Sequence, residues 1–99
     1  MPTTVVRYRP MDDRADENQR LIEAVFAELA ETQPDGLRYV AFRLGDGTFV
    51  HIADTDTDAN PLTEAAAFGS FTAAIFDRCA DGDGPNPQPA TMVGSYGLR

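Results

Sequence analysis

The feature that most constrains the fold is a hairpin signal in the middle of the sequence. Two runs rich in β-branched and aromatic residues, "LRYVAFRL" (37–44) and "TFVHIAD" (48–54), are separated only by "GDG" at positions 45–47. Glycine and aspartate tolerate the positive φ angles that a tight connection between antiparallel strands demands. The sequence therefore predicts a local antiparallel strand pair, around which the remaining elements must be arranged.

A strand and a helix are predicted before this hairpin. The run "TTVVRYRP" (3–10) has strand composition and is stopped by a proline. The segment 15–33 is predicted to be an amphipathic helix, which Asp12 or Asp13 caps and "PDG" at 34–36 ends. Its apolar residues recur at helical spacing, at Leu21, Ile22, Val25, Phe26 and Leu29.

A second helix and a last strand are predicted after the hairpin. Asn60 as N-cap and Pro61 at the first helical position favour a helix over 60–80. The glycine- and proline-rich stretch 81–90 is then predicted to be a linker, and "ATMVGSYGL" (90–98) to be the fourth strand.

The predicted order is β-α-β-β-α-β, which is typical of a ferredoxin-like α+β sandwich with a four-stranded antiparallel sheet. At 99 residues the chain is expected to form a single domain. Both helices are expected on one face of the sheet, which leaves the other face for water or a partner.

Alternation along the strands divides the sheet residues into two predicted sets. The second set mixes aromatic residues with arginines and the only histidine, as a face packed on a second sheet or one lining a partly polar cavity would. We therefore expect a homodimer that associates through its sheet faces. The first set is Val6, Tyr8, Val40, Phe42, Leu44, Val50 and Ile52; the second is Val5, Arg7, Arg9, Tyr39, Ala41, Arg43, Phe49, His51 and Ala53.

Composition disfavours several classes of function. The net charge is −8 and the chain has no lysine, so a nucleic-acid partner is not expected. A single cysteine, Cys79, excludes an internal disulfide. Without a signal-like start or an apolar run of roughly 20 residues, neither secretion nor a membrane is expected, and a cytoplasmic location is predicted. The exclusive use of arginine for positive charge favours a bacterial source.

No cofactor or metal is predicted. The acidic segment "DTDTDAN" (54–60) has oxygen ligands at alternate positions, but Ala59 and Ala65 stand where a calcium loop needs glycine and glutamate. One histidine and one cysteine do not make a zinc or iron ligand set. Ser70 and Ser95 lack the surroundings of a nucleophile, and the glycine-rich turns lack a phosphate-binding pattern.

The chain resembles the dimeric α/β-barrel superfamily, and within it the antibiotic biosynthesis monooxygenase-like domains. The resemblance covers "TVVRYRP", "ADENQRLIEAVFAELAE", "GLRYVAFRLGDGTFVHIAD", "NPLTEAAAFGSFTAAIF" and "VGSYGL". It implies a homodimer with facing sheets and a cavity between the sheet and the helices of each protomer. The oxygenases of this group act on aromatic polyketides, quinols or haem, often without a metal or flavin of their own.

The candidate site is centred on His51, whose imidazole titrates near neutral pH and can accept a proton from an activated aromatic substrate. Arg43 and Tyr39 are predicted to act with it, and Arg7 to orient a ligand or stabilise its anion. Aromatic side chains, namely Phe49, Phe42 and Phe71, are predicted to contact a flat ligand. The resulting hypothesis is a cofactor-independent oxygenase acting on aromatic or polyketide-type substrates, and the alternative is a non-catalytic ligand-binding or dimerisation module. A histidine at a subunit interface and an arginine in a salt bridge are the structural alternatives for His51 and Arg43.

Overall fold

A computed structural model gives the fold of residues 3–57 and 60–97. Its four-stranded sheet has the order β2-β3-β1-β4 and is antiparallel throughout, which confirms the ferredoxin-like α+β prediction. The elements along the chain are β1 (Thr3–Tyr8), α1 (Ala15–Thr32), β2 (Leu37–Arg43), β3 (Phe49–Thr55), α2 (Ala66–Ala73) and β4 (Asn86–Pro89).

The central hairpin forms as predicted. Strands β2 and β3 pair from Leu37 opposite Thr55 to Arg43 opposite Phe49. In the connection, Gly47 takes a φ of 93° and the Asp46 carboxylate accepts a hydrogen bond from the Thr48 N–H at 2.9 Å. The turn residues thus supply the backbone freedom and the local hydrogen bond that the sequence suggested.

Helix α1 has the predicted extent, but its predicted cap is wrong. Asp12 and Asp13 lie in a 3-10 turn (Asp12–Arg14) that precedes the helix, and neither the turn nor α1 has a side-chain cap at its start. The helix ends with Gln33 in the left-handed conformation, and the Gln33 N–H bonds to the Leu29 carbonyl.

The single helix predicted over 60–80 is broken into three pieces. Asn60 caps a 3-10 turn (Pro61–Glu64), as predicted for a cap, by accepting a hydrogen bond from the Leu62 N–H at 3.0 Å. Extended backbone at Ala65 then separates this turn from α2, and a further 3-10 turn (Phe76–Arg78) follows. Among the described residues no helix is long and apolar enough to cross a membrane.

The fourth strand lies earlier than predicted. Strand β4 (Asn86–Pro89) comes from the proline-rich stretch that was predicted to be a linker, and it pairs with β1. Residues 90–97 contain no strand, and Leu98, the last residue of the predicted strand, lies outside the described residues. Because β4 is at the sheet edge, its prolines remove few of the hydrogen bonds that a central strand would need.

The register also corrects the predicted faces. Val6 is directly opposite His51, and Tyr8 is opposite Phe49, so the β1 residues assigned to the other set share the face of His51. This inner face packs on both helices and consists of Thr4, Val6, Tyr8, Tyr39, Ala41, Arg43, Phe49, His51 and Ala53. The outer face carries Val5, Arg7, Val40, Phe42, Val50 and Ile52.

Candidate functional site

A cavity of about 410 Å³ lies between the inner face of the sheet and the segment that contains α2. Its size is within the range of small-molecule sites, and most of its lining is apolar or aromatic. We call it the sheet–helix cavity; its lining residues are Thr4, Val6, Tyr8, Tyr39, His51, Ala53, Asn60, Leu62, Phe68, Phe71, Thr72, Ile75, Phe76, Pro85 and Pro87.

The polar centre of the cavity wall is a histidine held between two tyrosines. The Tyr8 hydroxyl lies 2.8 Å from His51 Nε2, and the Tyr39 hydroxyl lies 2.5 Å from His51 Nδ1. The imidazole also stacks on the Phe71 ring, with centroids 5.4 Å apart. Because three strands and α2 supply these groups, the position of His51 is fixed by the tertiary fold.

Burial keeps this centre uncharged at neutral pH. Desolvation lowers the pKa of His51 to about 4, since the cavity wall cannot solvate an imidazolium. Desolvation likewise raises the pKa of Tyr8 and of Tyr39 above the ordinary tyrosine value. At pH 7 the site therefore holds a neutral imidazole between two protonated phenols.

Two further buried residues continue the hydrogen bonding behind Tyr8. Asn18 on α1 is fully buried and donates from Nδ2 to the Tyr8 hydroxyl at 2.9 Å. Arg78 is 1% exposed; its Nε donates to Asn18 Oδ1 at 3.0 Å and an Nη donates to the Phe71 carbonyl at 2.6 Å. We call Arg78, Asn18, Tyr8, His51 and Tyr39 the buried network.

Three of the predicted site residues meet at the cavity. His51, Tyr39 and Phe71 all line it, and His51 contacts each of the other two. Phe49 shares their face but is buried in the core, where it stacks on Tyr8 with centroids 5.8 Å apart. Phe49 would therefore not contact a ligand in the cavity directly; it supports the Tyr8 ring, which does line the cavity.

The other three predicted residues lie outside the cavity. Arg43 bonds to Asp16 at 3.0 Å and to Gln19 at 2.7 Å, and its guanidinium covers the Phe49 ring, so it ties β2 to α1. Arg7 and Phe42 lie on the outer face, on the opposite side of the sheet from His51. The structure thus separates them from the site that includes His51 and Tyr39.

Sequence reasoning missed Asn18 and Arg78 and underrated Tyr8. Asn18 precedes Ile22 and Val25 by four and seven residues, so it falls on the apolar stripe of α1. Arg78 follows Phe71 by seven residues on the second apolar pattern. A polar residue on an apolar stripe was the available signal, because such a residue needs a buried partner.

The acidic segment that begins at the end of β3 contributes two carboxylates to a salt-bridge cluster. Arg38 bonds to Asp54 at 3.0 Å and to Asp56 at 2.7 Å, and this contact with Arg38 lowers the pKa of Asp54. Within residues 3–57 and 60–97, no group of three or more histidine, cysteine, aspartate or glutamate residues could hold a metal ion. Residues 58–59 of the predicted acidic loop lie outside the described part.

Cys79 is a buried free thiol in the hydrophobic core. Burial raises the pKa of its thiol above the ordinary value, which disfavours the reactive thiolate. Its position therefore agrees with a structural role.

Comparison with solved structures shows what fold this arrangement belongs to. The chain is similar to a candidate antibiotic biosynthesis monooxygenase from Nitrosomonas europaea, with a TM-score of 0.75, 15% identity, and coverage of 95% of this chain and 100% of the other. It is also similar to the crystal structure of an antibiotic biosynthesis monooxygenase, with a TM-score of 0.74, 16% identity, and coverage of 95% of this chain and 100% of the other. For a protein from Mycobacterium tuberculosis the TM-score is 0.71 and the identity 16%, with coverage of 96% of this chain and 98% of the other.

No family model matches the sequence, and no curated protein matches it. The structural matches alone show that the chain has the fold of the antibiotic biosynthesis monooxygenase structures over nearly its whole length, as the sequence resemblance predicted. At these identities the likeness describes the fold.

Proposed function

We propose that the protein binds a flat, largely apolar small molecule in the sheet–helix cavity and oxidises it with dioxygen without a cofactor of its own. The observation that carries the proposal is the placement of Tyr39 and His51 in the wall of a mostly apolar cavity of about 410 Å³. A few polar groups at a fixed place in an apolar pocket are what orient a ligand in a small-molecule site.

The lining favours an aromatic or polyketide-type ligand. Phe68, Phe71 and Phe76 line the cavity together with the two tyrosines of the site. Aromatic rings prefer offset-stacked or edge-to-face neighbours, which these side chains offer to a flat molecule. A ketone oxygen on the ring system of the ligand would then form its hydrogen bond with the Tyr39 hydroxyl.

The chemistry that this site supports is the oxidation of a CH₂ group that is activated by conjugation, through an aromatic ring, with a ketone. A hydrogen bond to the ketone oxygen stabilises the electron-rich enolate, which can itself reduce dioxygen. In the net reaction CH₂ and O₂ give C=O and H₂O, so that one oxygen atom enters the substrate and both hydrogens leave in water. His51 was predicted to accept the proton, but both of its ring nitrogens bond to tyrosines. In this proposal the CH₂ proton therefore leaves to water, and His51 contributes by holding the Tyr39 hydroxyl in place against the ketone oxygen.

Oxygen consumption tests this proposal. Anthrone, a tricyclic ketone with an activated CH₂ group, is the probe, and Tyr39→Phe removes the hydroxyl that would contact it. We expect oxygen uptake above the uncatalysed rate, reduced more than tenfold in Tyr39→Phe. Tyr96→Phe is the matched control, because Tyr96 lies outside the cavity and is fully exposed.

A ligand-binding module without turnover is the second candidate. The engagement of both His51 nitrogens by tyrosines favours it, because a histidine so held is well satisfied as a structural group. Tight binding of anthrone by calorimetry with no enhanced oxygen uptake would select this candidate. Absence of both binding and uptake would argue against a ligand site for this class of molecule.

We also propose that the chain forms a homodimer through the outer face. Val40 and Phe42 on that face are 41% and 50% exposed, and they pair with Ile52 and Val50, so the patch is apolar across two strands. Light scattering should give twice the mass of one chain for the unmodified protein and the mass of one chain for Phe42→Asp. A monomer at micromolar concentration in the unmodified protein would contradict this assembly.

A further inference from the structure

We infer that the buried network presents a hydrogen-bond donor to the sheet–helix cavity, and that Arg78 and Asn18 are the positioning residues that set this polarity. The ligand would then be a flat aromatic molecule held through an acceptor oxygen, such as a ketone or quinone carbonyl. This inference rests on the proposed function, because it takes the cavity to be the ligand site.

The first step is the orientation of Asn18. A guanidinium has five N–H donors and no acceptor, so the Asn18 atom that meets Arg78 Nε at 3.0 Å must be the amide oxygen. The amide nitrogen then faces Tyr8 and donates to its hydroxyl. Arg78 is itself held in place by its bond to the Phe71 carbonyl and its position over the Phe71 ring.

The second step is the direction of the hydrogen bond between Tyr8 and His51. The Tyr8 oxygen already accepts from Asn18, and its own hydrogen needs an acceptor in a buried site. His51 Nε2, 2.8 Å away, is that acceptor. A neutral imidazole carries one N–H, so the hydrogen of His51 must be on Nδ1.

The third step is the consequence for Tyr39. The Nδ1–H of His51 donates to the Tyr39 oxygen, and the remaining hydrogen of the Tyr39 hydroxyl is free to point into the cavity that Tyr39 lines. In the opposite arrangement Tyr8 would accept from both Asn18 and His51, and its own hydrogen would lose its partner. Tyr8 is 3% exposed, whereas Tyr39 is only partly buried, so an unsatisfied hydroxyl hydrogen is less favourable at Tyr8 than at Tyr39 and the first arrangement prevails.

Arg78 adds a charge to this geometry. No salt bridge between described residues includes Arg78, although it is almost fully buried. Its positive charge polarises the donors that follow it in the buried network, and in a medium of low dielectric such polarisation strengthens each bond. Negative charge that develops on a ligand oxygen at Tyr39 would be favoured for the same reason.

The tautomer of His51 tests the polarity without a ligand. His51 is the only histidine, so ¹⁵N NMR of the imidazole at pH 7 needs no assignment. We expect Nδ1 to carry the proton and Nε2 to be unprotonated. The reverse tautomer in the unmodified protein would overturn the inference.

Asn18→Asp should reverse the network with almost no change of shape. A carboxylate can only accept, so Asp at this position would bond to both Arg78 and the Tyr8 hydrogen, and His51 would shift to the Nε2–H form. Gln19→Glu is the matched control, because it adds the same charge one residue away on the exposed side and should leave the tautomer unchanged. An unchanged tautomer in folded Asn18→Asp would overturn the role of Asn18.

Three flat tricyclic probes test the ligand class. Fluorenone offers a carbonyl acceptor, carbazole offers an N–H donor, and fluorene offers neither. In calorimetry we expect fluorenone to bind about fivefold more tightly than the other two, as one added hydrogen bond allows. In Asn18→Asp carbazole should become the preferred probe, because Tyr39 would then present a lone pair.

The outcomes separate the two proposals. Failure of all three probes to bind would overturn the proposed ligand site and, with it, the ligand class, while the His51 tautomer would still decide the polarity of the buried network. Binding without preference for fluorenone would leave the ligand site in place and overturn only the hydrogen-bond donor at Tyr39.

Discussion

The pH dependence of stability is the most quantitative consequence of the buried histidine. His51 has an ordinary pKa of 6.5 in the unfolded chain and a pKa of about 4 in the folded protein, because burial between two tyrosines disfavours the charged imidazole. As the pH falls below 6.5, the unfolded chain takes up a proton that the folded protein does not. The histidine therefore lowers the stability of the fold in acid.

The magnitude follows from linkage between protonation and folding. The loss begins near pH 6.5, reaches about 2 kcal/mol at pH 5, and levels off at about 3 kcal/mol below pH 4, where both states are protonated. The carboxylates also titrate in this range, so the effect must be separated from theirs. His51→Gln does so, because glutamine keeps hydrogen bonding to the tyrosines and has no proton to take up.

Urea unfolding at pH 8 and pH 5 is the assay. We expect the unmodified protein to lose about 2 kcal/mol more than His51→Gln between the two values. An NMR titration of the single imidazole gives the folded pKa directly and serves if the variant does not fold. Equal losses in the two proteins, or a folded pKa near 6.5, would refute the burial of a neutral histidine.

Three further substitutions test other parts of the structure by urea unfolding. Glu28→Ala removes the carboxylate that accepts from the Ala66 and Ala67 N–H groups at the start of α2, and should cost about 1 kcal/mol, whereas Glu31→Ala on the same helix should cost little. Tyr8→Phe removes the hydroxyl between His51 and Asn18 and should cost about 1–3 kcal/mol; a loss below about 0.5 kcal/mol would contradict the network. Gly36→Ala should cost about 1 kcal/mol, because Gly36 has a φ of 76°; an unchanged midpoint would contradict that conformation.

The parts of the fold that follow local rules could be predicted from the sequence. The hairpin depends on its own turn residues, and α1 depends on a long apolar stripe, so both appear at nearly the predicted positions. The second helix is different, because its pattern is continuous while the backbone breaks at Ala65. The N–H groups exposed by that break are satisfied by Glu28, 38 residues away from Ala66, which periodicity within one segment cannot reveal.

The fourth strand could not be located from strand propensity. Strand β4 contains Pro87 and Pro89, which argue against a strand, and it forms because an edge position needs hydrogen bonds on one side only. The later run with Thr91, Met92 and Val93 has strand composition but no strand partner within the described chain. Backbone pairing with β1 therefore outweighs side-chain preference.

The candidate site was predictable only in part. Tyr39 and His51 lie on the two paired strands of one hairpin, so alternation placed them correctly on one face. Tyr8 belongs to a strand far away in sequence, and its face depends on the register with β3, which alternation within β1 does not determine. Arg7 was included for the same reason and lies on the outer face. Phe42 also lies on the outer face, as alternation along the hairpin predicted; it was included because it is aromatic.

The central claim is that the sheet–helix cavity holds a flat ligand at the Tyr39 hydroxyl. A crystal structure with fluorenone bound tests it most directly. We predict the tricycle beside Phe71, inside the cavity, with its carbonyl oxygen within hydrogen-bonding distance of the Tyr39 hydroxyl. Fluorenone bound elsewhere with the cavity unfilled, or bound in the cavity with its carbonyl turned away from Tyr39, would contradict the claim.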